Sequence, residues 1–403
     1  MSAARWLSLI GLGEDGLDAL TPAARALISN ASLIVGGARH LDLIGPQKAE
    51  TLCWPSPLSA AMETILSRRG APVVVLASGD PFFFGVGDMI ARNVATEEIL
   101  CLPAPSSFAL AAARLCWSQQ DCTLLSLHGR AFERVTPHLQ SAHRLLILSW
   151  DGTTPARLAA HLTALGMGES HVHVLEHMGG SKERVRNARA SDFSLNDIAA
   201  LNTIGVEVIA GSDARVLPLT PGLPDEWFEH DGQITKRDIR AVTLAALAPR
   251  RGERLWDIGA GSGSIAIEWM LADAANRATA VEQNATRIAR IARNAVSLGV
   301  PDLDIVEGAA PQALAGLPTP DVVFIGGGGD ANVIEAAWDA LLPARGRIVA
   351  NAVTIETQAL LIDAFQRRGG ELVNMAISKA RPIGGFHALE PALPVLQWRA
   401  VKS

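Results

Sequence analysis

No stretch of this chain approaches the length of uninterrupted apolar residues that a bilayer-spanning helix needs, so no membrane segment is expected. The four cysteines, Cys53, Cys101, Cys116 and Cys122, form no C-x-x-C pair and are not matched to close histidines. That spacing argues against structural zinc and against a disulfide framework, and no metal site is expected. The cysteines read most simply as core residues of a reduced, cytoplasmic protein. Positive charge is not in excess: the formal net charge of -6 argues against a nucleic-acid-binding surface driven by counterion release. A charged leader with a cleavage site is missing ahead of the apolar start Trp6-Leu7-Ser8-Leu9-Ile10-Gly11, so export is not expected either.

What is present is ample core material. With 49% hydrophobic and 19% charged residues over 403 positions, the chain reads as a well-packed globular protein of two or more domains. The clearest break is residues 216–224, where three prolines and a glycine forbid regular structure. Hydrophobic strands alternate with helical patterns on both sides of it, in a different order of motifs, so the halves are not repeats. The expected division is 1–215, a linker over 216–229, and 230–403.

The most informative stretch lies in the second half. Leu255-Trp256-Asp257-Ile258 is an apolar strand carrying one acid, and it runs through Gly259-Ala260-Gly261-Ser262-Gly263 into a helix expected over 265–271. Glycines permit positive φ and close approach of the main chain, and the helix start aims amides and the positive dipole end at a ligand. The spacing is G-x-G-x-G, which departs from the dinucleotide fingerprint. Further on, Thr279-Ala280-Val281-Glu282 reads as a second strand ending in an acid. Expected strands cover 254–258, 278–282, 303–307, 321–325, 347–350, 372–378 and 395–401, the last two as a hairpin. Helices are expected over 285–298, 331–342 and 355–368, with another opening near Thr235 as N-cap and stopping at Pro249.

Together these segments resemble the class I methyltransferases. The resemblance implies a seven-stranded, Rossmann-like α/β sheet and an S-adenosylmethionine site at the carboxyl edge of its strands. It implies cofactor contacts at Thr235, Asp257, Gly259, Ala260, Gly261, Ser262, Gly263 and Glu282, with Glu282 on the ribose hydroxyls. Gly308-Ala309-Ala310 occupies the adenine position but departs from the acid often found there. After the fourth strand, Gly326-Gly327-Gly328-Gly329-Asp330 replaces the Asn- or Asp-Pro-Pro-aromatic loop of amino-methylating enzymes, and no Pro-Cys nucleophile occurs. The loop leaves room for a bulky acceptor. Lys236, Arg240 and Arg381, the last in a basic connection over 379–387, are candidate cations for an acidic acceptor.

In the first half, Ser8-Leu9-Ile10-Gly11-Leu12-Gly13-Glu14-Asp15-Gly16 is a strand and glycine loop, with the following helix starting more naturally at Thr21-Pro22. A buried strand over 73–78 enters Gly79-Asp80-Pro81-Phe82-Phe83-Phe84. Pro103-Ala104-Pro105-Ser106-Ser107 and Ser126-Leu127-His128-Gly129-Arg130 come later. In that order these segments resemble the tetrapyrrole methylase family over roughly 5–212, which implies a two-lobed α/β fold and a second S-adenosylmethionine site. The contacts carry over to Gly79, Asp80, Phe83, Ser106 and Ser107, with Met178 a further position. His128 and Arg130 would face the same cleft, where an arginine suits a carboxylate-rich macrocycle. His40 reads as structural.

A tetrapyrrole methylase domain followed by a class I methyltransferase domain is similar to the bifunctional, decarboxylating precorrin methyltransferases of cobalamin biosynthesis. The resemblance implies methylation at C5 by the first domain, and methylation at C15 with loss of the C12 acetate carboxyl by the second. One S-adenosylmethionine site per domain and a homo-oligomer are expected with it. Two alternatives stay open: a methyltransferase for another acidic small molecule or RNA, and a cofactor-binding regulator.

Overall fold

The structure, a computed structural model, describes residues 5–402. The chain falls into two compact units. One runs to Arg130 and resumes over His138–Val216; the other combines Ala131–Pro137 with the chain from Leu217 onward.

The first unit opens with β1 (Leu7–Leu12), α1 (Pro22–Ser29), β2 (Leu33–Gly36), α2 (Ala38–Ile44), β3 (Glu50–Cys53), α3 (Met62–Ser67), β4 (Val73–Ser78), α4 (Gly87–Ala91) and β5 (Ile99–Leu102). Its strands form an all-parallel sheet in the order β3-β2-β4-β1-β5. β1 and β4 are apolar nearly throughout because both sheet faces are covered. Leu7, Leu9, Val73 and Val75 pack on Met62, Ile65 and Ile90, while Ile10, Leu12, Val74 and Leu76 pack on Ala24, Ile28 and Ile44. α1 starts where expected, its Thr21 hydroxyl accepting from the Ala24 amide at 3.3 Å with Pro22 in the first turn.

α5 (Ser107–Leu115) leads into the second lobe, made of β6 (Cys122–Ser126), β7 (Arg144–Leu148), α6 (Thr154–Ala164), β8 (His171–Glu176), β9 (Arg184–Arg189) and β10 (Asn202–Glu207). The sheet order is β6-β7-β10-β8-β9, parallel only between β6 and β7.

The second unit contains α7 (Arg237–Leu247), β11 (Arg254–Ile258), α8 (Ser264–Ala272), β12 (Arg277–Glu282), α9 (Ala285–Ser297), β13 (Asp304–Glu307), β14 (Val322–Ile325), α10 (Ala331–Ala340), β15 (Arg347–Ala352), α11 (Ile355–Arg368), β16 (Glu371–Met375), β17 (Ser378–Ile383), β18 (Phe386–Pro391) and β19 (Val395–Val401). Seven strands pair in the order β13-β12-β11-β14-β15-β19-β16, with β19 alone antiparallel to its neighbours. The α/β architecture expected for each half is therefore present. Alternation along β11 separates the two cores: Leu255 packs with Leu244, Ile265 and Trp269, and Trp256 and Ile258 with Val323, Ile334 and Leu361. Chain order reverses between β11 and β14, which places a binding crevice at the carboxyl ends of these strands.

Four expectations need correction. The basic connection over 379–387 is a two-stranded ribbon, β17 paired with β18, every residue of it exposed. α7 is not capped by Thr235: Lys236 occupies the N-cap position without a side-chain bond, and the Thr235 carbonyl accepts from Arg240. Only two of the four cysteines join a core: Cys101 and Cys122 are half-buried and pack against buried clusters, whereas Cys53 and Cys116 are exposed, all with free thiols. The proline-rich segment, read as a linker, is folded onto the second unit. Leu217, Leu223 and Phe228 are buried in its core, and the Gly222 and Leu223 amides donate to the Glu268 carboxylate at 2.6 and 3.0 Å.

Candidate functional site

In the second unit, β11 turns into α8 through three glycines at positive φ, +73° at Gly259, +60° at Gly261 and +75° at Gly263. At Gly259 a Cβ would stand 2.8 Å from the Gly327 carbonyl oxygen, so the glycine loop and the loop after β14 touch main chain to main chain. Only glycine satisfies both the φ and the approach there.

Asp257 lies beneath this loop, buried, with Oδ2 accepting from the Ala266 amide at 3.1 Å and Oδ1 without a partner. Burial pushes its pKa up to about 7; the Ala266 bond opposes the rise and the Glu282 charge adds to it. The hydroxyl of Ser262 is likewise buried and unpaired. At the end of β12, Glu282 Oε2 accepts from the Gly261 amide at 2.9 Å, and Oε1 from the Gln283 and Asn284 amides at 3.1 and 3.0 Å. A carboxylate offers about four acceptor sites, so one remains for a hydroxyl. The Gly308 amide donates to the Glu282 carbonyl at 3.0 Å, which brings the turn containing Ala309 and Ala310 beside the end of β12. A glycine cradle, an acid at the next strand end, and buried orphan oxygens beneath it fit the adenosyl and methionine parts of S-adenosylmethionine.

The cations expected for an acceptor separate. Arg240 is fully buried: Nε meets Glu268 Oε1 at 2.5 Å, Nη1 meets Asp225 and the Thr235 carbonyl at 3.0 and 2.6 Å, and Nη2 donates to the Leu223 carbonyl. It pins the proline-rich segment and faces no solvent, so its expected contact with substrate is withdrawn. Lys236 is exposed at the head of α7, and Arg381 is exposed on the ribbon with Nε 2.8 Å from Glu390. Sequence reasoning missed a polar cluster at the carboxyl end of β15. Asn351 Nδ2 donates to the Thr243 hydroxyl at 2.9 Å, and Gln397 Nε2 donates to Asn351 Oδ1 at 2.9 Å. A buried glutamine inside an apolar strand was the available signal.

In the first unit, the ends of β1 and β4 and the loop before α5 converge. The Gly79 amide donates to Leu12 and its carbonyl accepts from Ala104. Gly79 has φ +56°, and a Cβ there would lie 2.8 Å from Ser106 Cα. A cavity at this point is lined by Gly79, Pro105, Ser107 and Met178, with Glu14 and His177. Ser106 caps α5 through the Ala109 amide at 3.2 Å, and Asp80 Oδ1 accepts from the Phe82 amide at 2.9 Å, fixing the turn that carries Phe83. Beyond the turn the rings of Phe83, Phe84 and Phe108 pack with centroids 5.1–5.7 Å apart. The Arg130 guanidinium lies 5.2 Å over Phe84, and His128 faces Trp150 at 6.2 Å. Phe82, Phe84 and Trp150 are exposed. Among the described residues Arg130 has no carboxylate partner.

Glu14 was not foreseen as a site residue. Its carboxylate pairs with Arg39 and stands 3.0 Å from His177 Nδ1. Burial pushes the Glu14 pKa up, but His177 and Arg39 outweigh it and hold the group below the usual carboxylate range. His40 is structural, as expected: it is held 2.9 Å from both Arg39 and the Ser78 hydroxyl, and burial with the Arg39 charge pushes its pKa down to about 4.

These two sites lie in segments that match known families. Residues 7–194 match the family of tetrapyrrole (corrin/porphyrin) methylases, and residues 226–402 match the precorrin methyltransferase domain. The chain is 53% identical over 399 residues to a precorrin-6Y C(5,15)-methyltransferase [decarboxylating] from Sinorhizobium sp, spanning 98% of this chain and 96% of that one. It is 40% identical over 401 residues to the protein of the same name from Mycobacterium tuberculosis, spanning 98% and 99%. Among solved structures, the C-terminal domain of precorrin-6Y C5,15-methyltransferase from Rhodobacter capsulatus is 48% identical, covers 46% of this chain and 100% of its own, and has a TM-score of 0.44. Likeness at this level along nearly the whole chain shows that it belongs to the family of decarboxylating precorrin-6Y C5,15-methyltransferases.

Proposed function

We propose that this chain methylates dihydro-precorrin-6 at C5 and C15 and removes the C12 acetate carboxyl as carbon dioxide, consuming two molecules of S-adenosylmethionine. The observation that carries this reading is the presence, in one chain, of two separately built glycine cradles inside segments of two different methylase families. We assign C5 to the first unit and C15 with decarboxylation to the second, with one methyl-donor site in each.

S-adenosylmethionine supplies an electrophilic methyl group on a sulfonium. The ring carbons of a reduced corrin precursor are electron-rich enough to attack it directly, so the protein's task is alignment. In the first unit Gly79, Ser107 and Met178 bound the donor cavity, and Phe83 and Phe84, whose rings tilt against each other and against buried Phe108, offer apolar surface to a macrocycle. Arg130, held over Phe84 and without a carboxylate partner among the described residues, is the acceptor's anchor for an acetate or propionate. In the second unit the Gly259–Gly263 loop and Glu282 hold the donor, while the Gly326–Gly329 loop leaves space above it. Decarboxylation sends the released electron pair into the conjugated ring. Exposed Lys236 is the remaining candidate for holding the other carboxylates.

The test is to incubate the chain with S-adenosylmethionine and dihydro-precorrin-6 and follow product mass. Two added methyl groups with one lost carbon dioxide are expected. One methyl without decarboxylation would remove the second unit from the assignment.

A further inference from the structure

Within the first unit, Glu14 follows β1 and His177 follows β8, 163 residues apart in the chain, yet their side chains meet in the lining of one cavity. His177 sits at φ +46°, a left-handed conformation that costs a non-glycine residue of order 1 kcal/mol or more. The neighbouring turn is built close: a Cβ on Gly180 would stand 2.8 Å from the Glu14 Cβ, and the Gly179 amide is tied to Glu183 Oε2 at 2.6 Å. The backbone is thus held strained in a position that sets an imidazole against a carboxylate.

The orientation of that imidazole follows from its partner. Glu14 is ionised and can only accept, so the hydrogen between the two groups sits on His177 Nδ1, which leaves Nε2 as the ring nitrogen turned away from the pair. Nε2 has no protein partner among the described residues. Arg39 grips the other Glu14 oxygen and also reaches the Ser78 hydroxyl at 2.8 Å, which locks the carboxylate in place. The charged and titratable groups around the pair are Arg39 and His40 on α2, Asp15 beside Gly179, and Glu183, which is itself paired with Arg114.

We propose that His177 is the proton acceptor for methyl transfer in the first unit, with Glu14 and Arg39 as its positioning residues. This rests on the reading that the unit methylates a C–H carbon of a tetrapyrrole. The balance of that reaction requires a base. The ring carbon's π electrons form the new C–C bond, and the S–CH3 pair stays on sulfur as the sulfonium becomes a neutral thioether. The carbon then carries both hydrogen and methyl, and the macrocycle one positive charge. His177 Nε2 takes the proton, the C–H pair returns to the ring, and the imidazolium formed beside Glu14 later releases its proton to solvent.

The test uses the full chain with S-adenosylmethionine carrying a 13C-labelled methyl and dihydro-precorrin-6, with NMR resolving label at C5 from label at C15. His177→Gly suits the left-handed backbone, so folding is not the expected point of failure. We expect its single-turnover C5 transfer to fall by about 100-fold or more, as loss of a general base does. S-adenosylmethionine binding, read by calorimetry, should change little, and added imidazoles should restore the rate in proportion to their basicity. Glu14→Gln should lose less. C5 transfer near the wild-type rate in His177→Gly, or a lost rate that no imidazole restores, would overturn the proposal. Wild-type chain that transfers no methyl to this acceptor would overturn the reading beneath it, and the base assignment with it.

Discussion

Arg240 Nε and Glu268 Oε1 lie 2.5 Å apart with both side chains closed to solvent, and together they hold the proline-rich segment onto the second unit. Glu268 accepts from two backbone amides of that segment, and Arg240 donates to the Leu223 carbonyl. Removing one charge leaves the other buried and unpaired, a loss of about 3–5 kcal/mol. Arg240→Met should therefore lower the second unit's stability by that order in urea unfolding. The affinity of folded variant for the precorrin should stay near wild type. A selective loss of precorrin affinity with stability intact would restore Arg240 as a substrate contact.

Asp257 has a pKa of about 7 in the folded chain against an ordinary 3.8. The native state therefore keeps a proton that the unfolded state has lost between about pH 4 and 7. Stability contributed by this group declines as pH rises through that window, and the full penalty applies above it. At about 1.4 kcal/mol per pKa unit the penalty is of order 4 kcal/mol. Asp257→Asn should flatten the pH dependence across the window and gain stability at about pH 8, as read by chemical denaturation at several pH values.

The two cradles can be emptied one at a time. Gly259→Ala places a Cβ 2.8 Å from the Gly327 oxygen, and Gly79→Ala places one 2.8 Å from Ser106 Cα, each at a positive φ. Calorimetry of wild-type chain should find two S-adenosylmethionine molecules bound. Each single variant should bind one, and the double variant none. A wild-type stoichiometry of one would assign the donor to a single unit.

Arg130 lies over Phe84 and, among the described residues, has no acidic partner. Arg130→Met keeps the apolar stem and removes the charge, which forfeits a charge-assisted hydrogen bond of roughly 1.5–3 kcal/mol. The KM for the precorrin should rise at least about tenfold while S-adenosylmethionine affinity is unchanged. An unchanged KM would place the acceptor's carboxylates elsewhere.

Much of this was legible in the residues. Leu255-Trp256-Asp257-Ile258 followed by three alternate glycines specifies a buried parallel strand and a turn that only glycine can make, because both depend on local φ and hydrophobic pattern. The strand ending in Glu282, the helix start at Thr21-Pro22 and the Gly-Asp-Pro turn at 79–81 are local in the same sense. The ribbon over 378–391 was less so. Its strands bury nothing, and without a buried face there is no alternation to read.

Charge placement was beyond reach. Arg240 on a helix and Arg130 after a strand look alike as isolated cations; burial against Glu268 made one structural, and the other lies over Phe84 with no carboxylate partner among the described residues. Likewise a sequence separated by 163 residues carries no sign that Glu14 and His177 share a hydrogen bond. The chain's own residues determined the elements, the glycine turns and the family pattern, since these follow from conformational preference and hydrophobic period. Only the tertiary structure decided which charges are paired, which are buried and which face a cavity, because those are properties of neighbours that folding brings together.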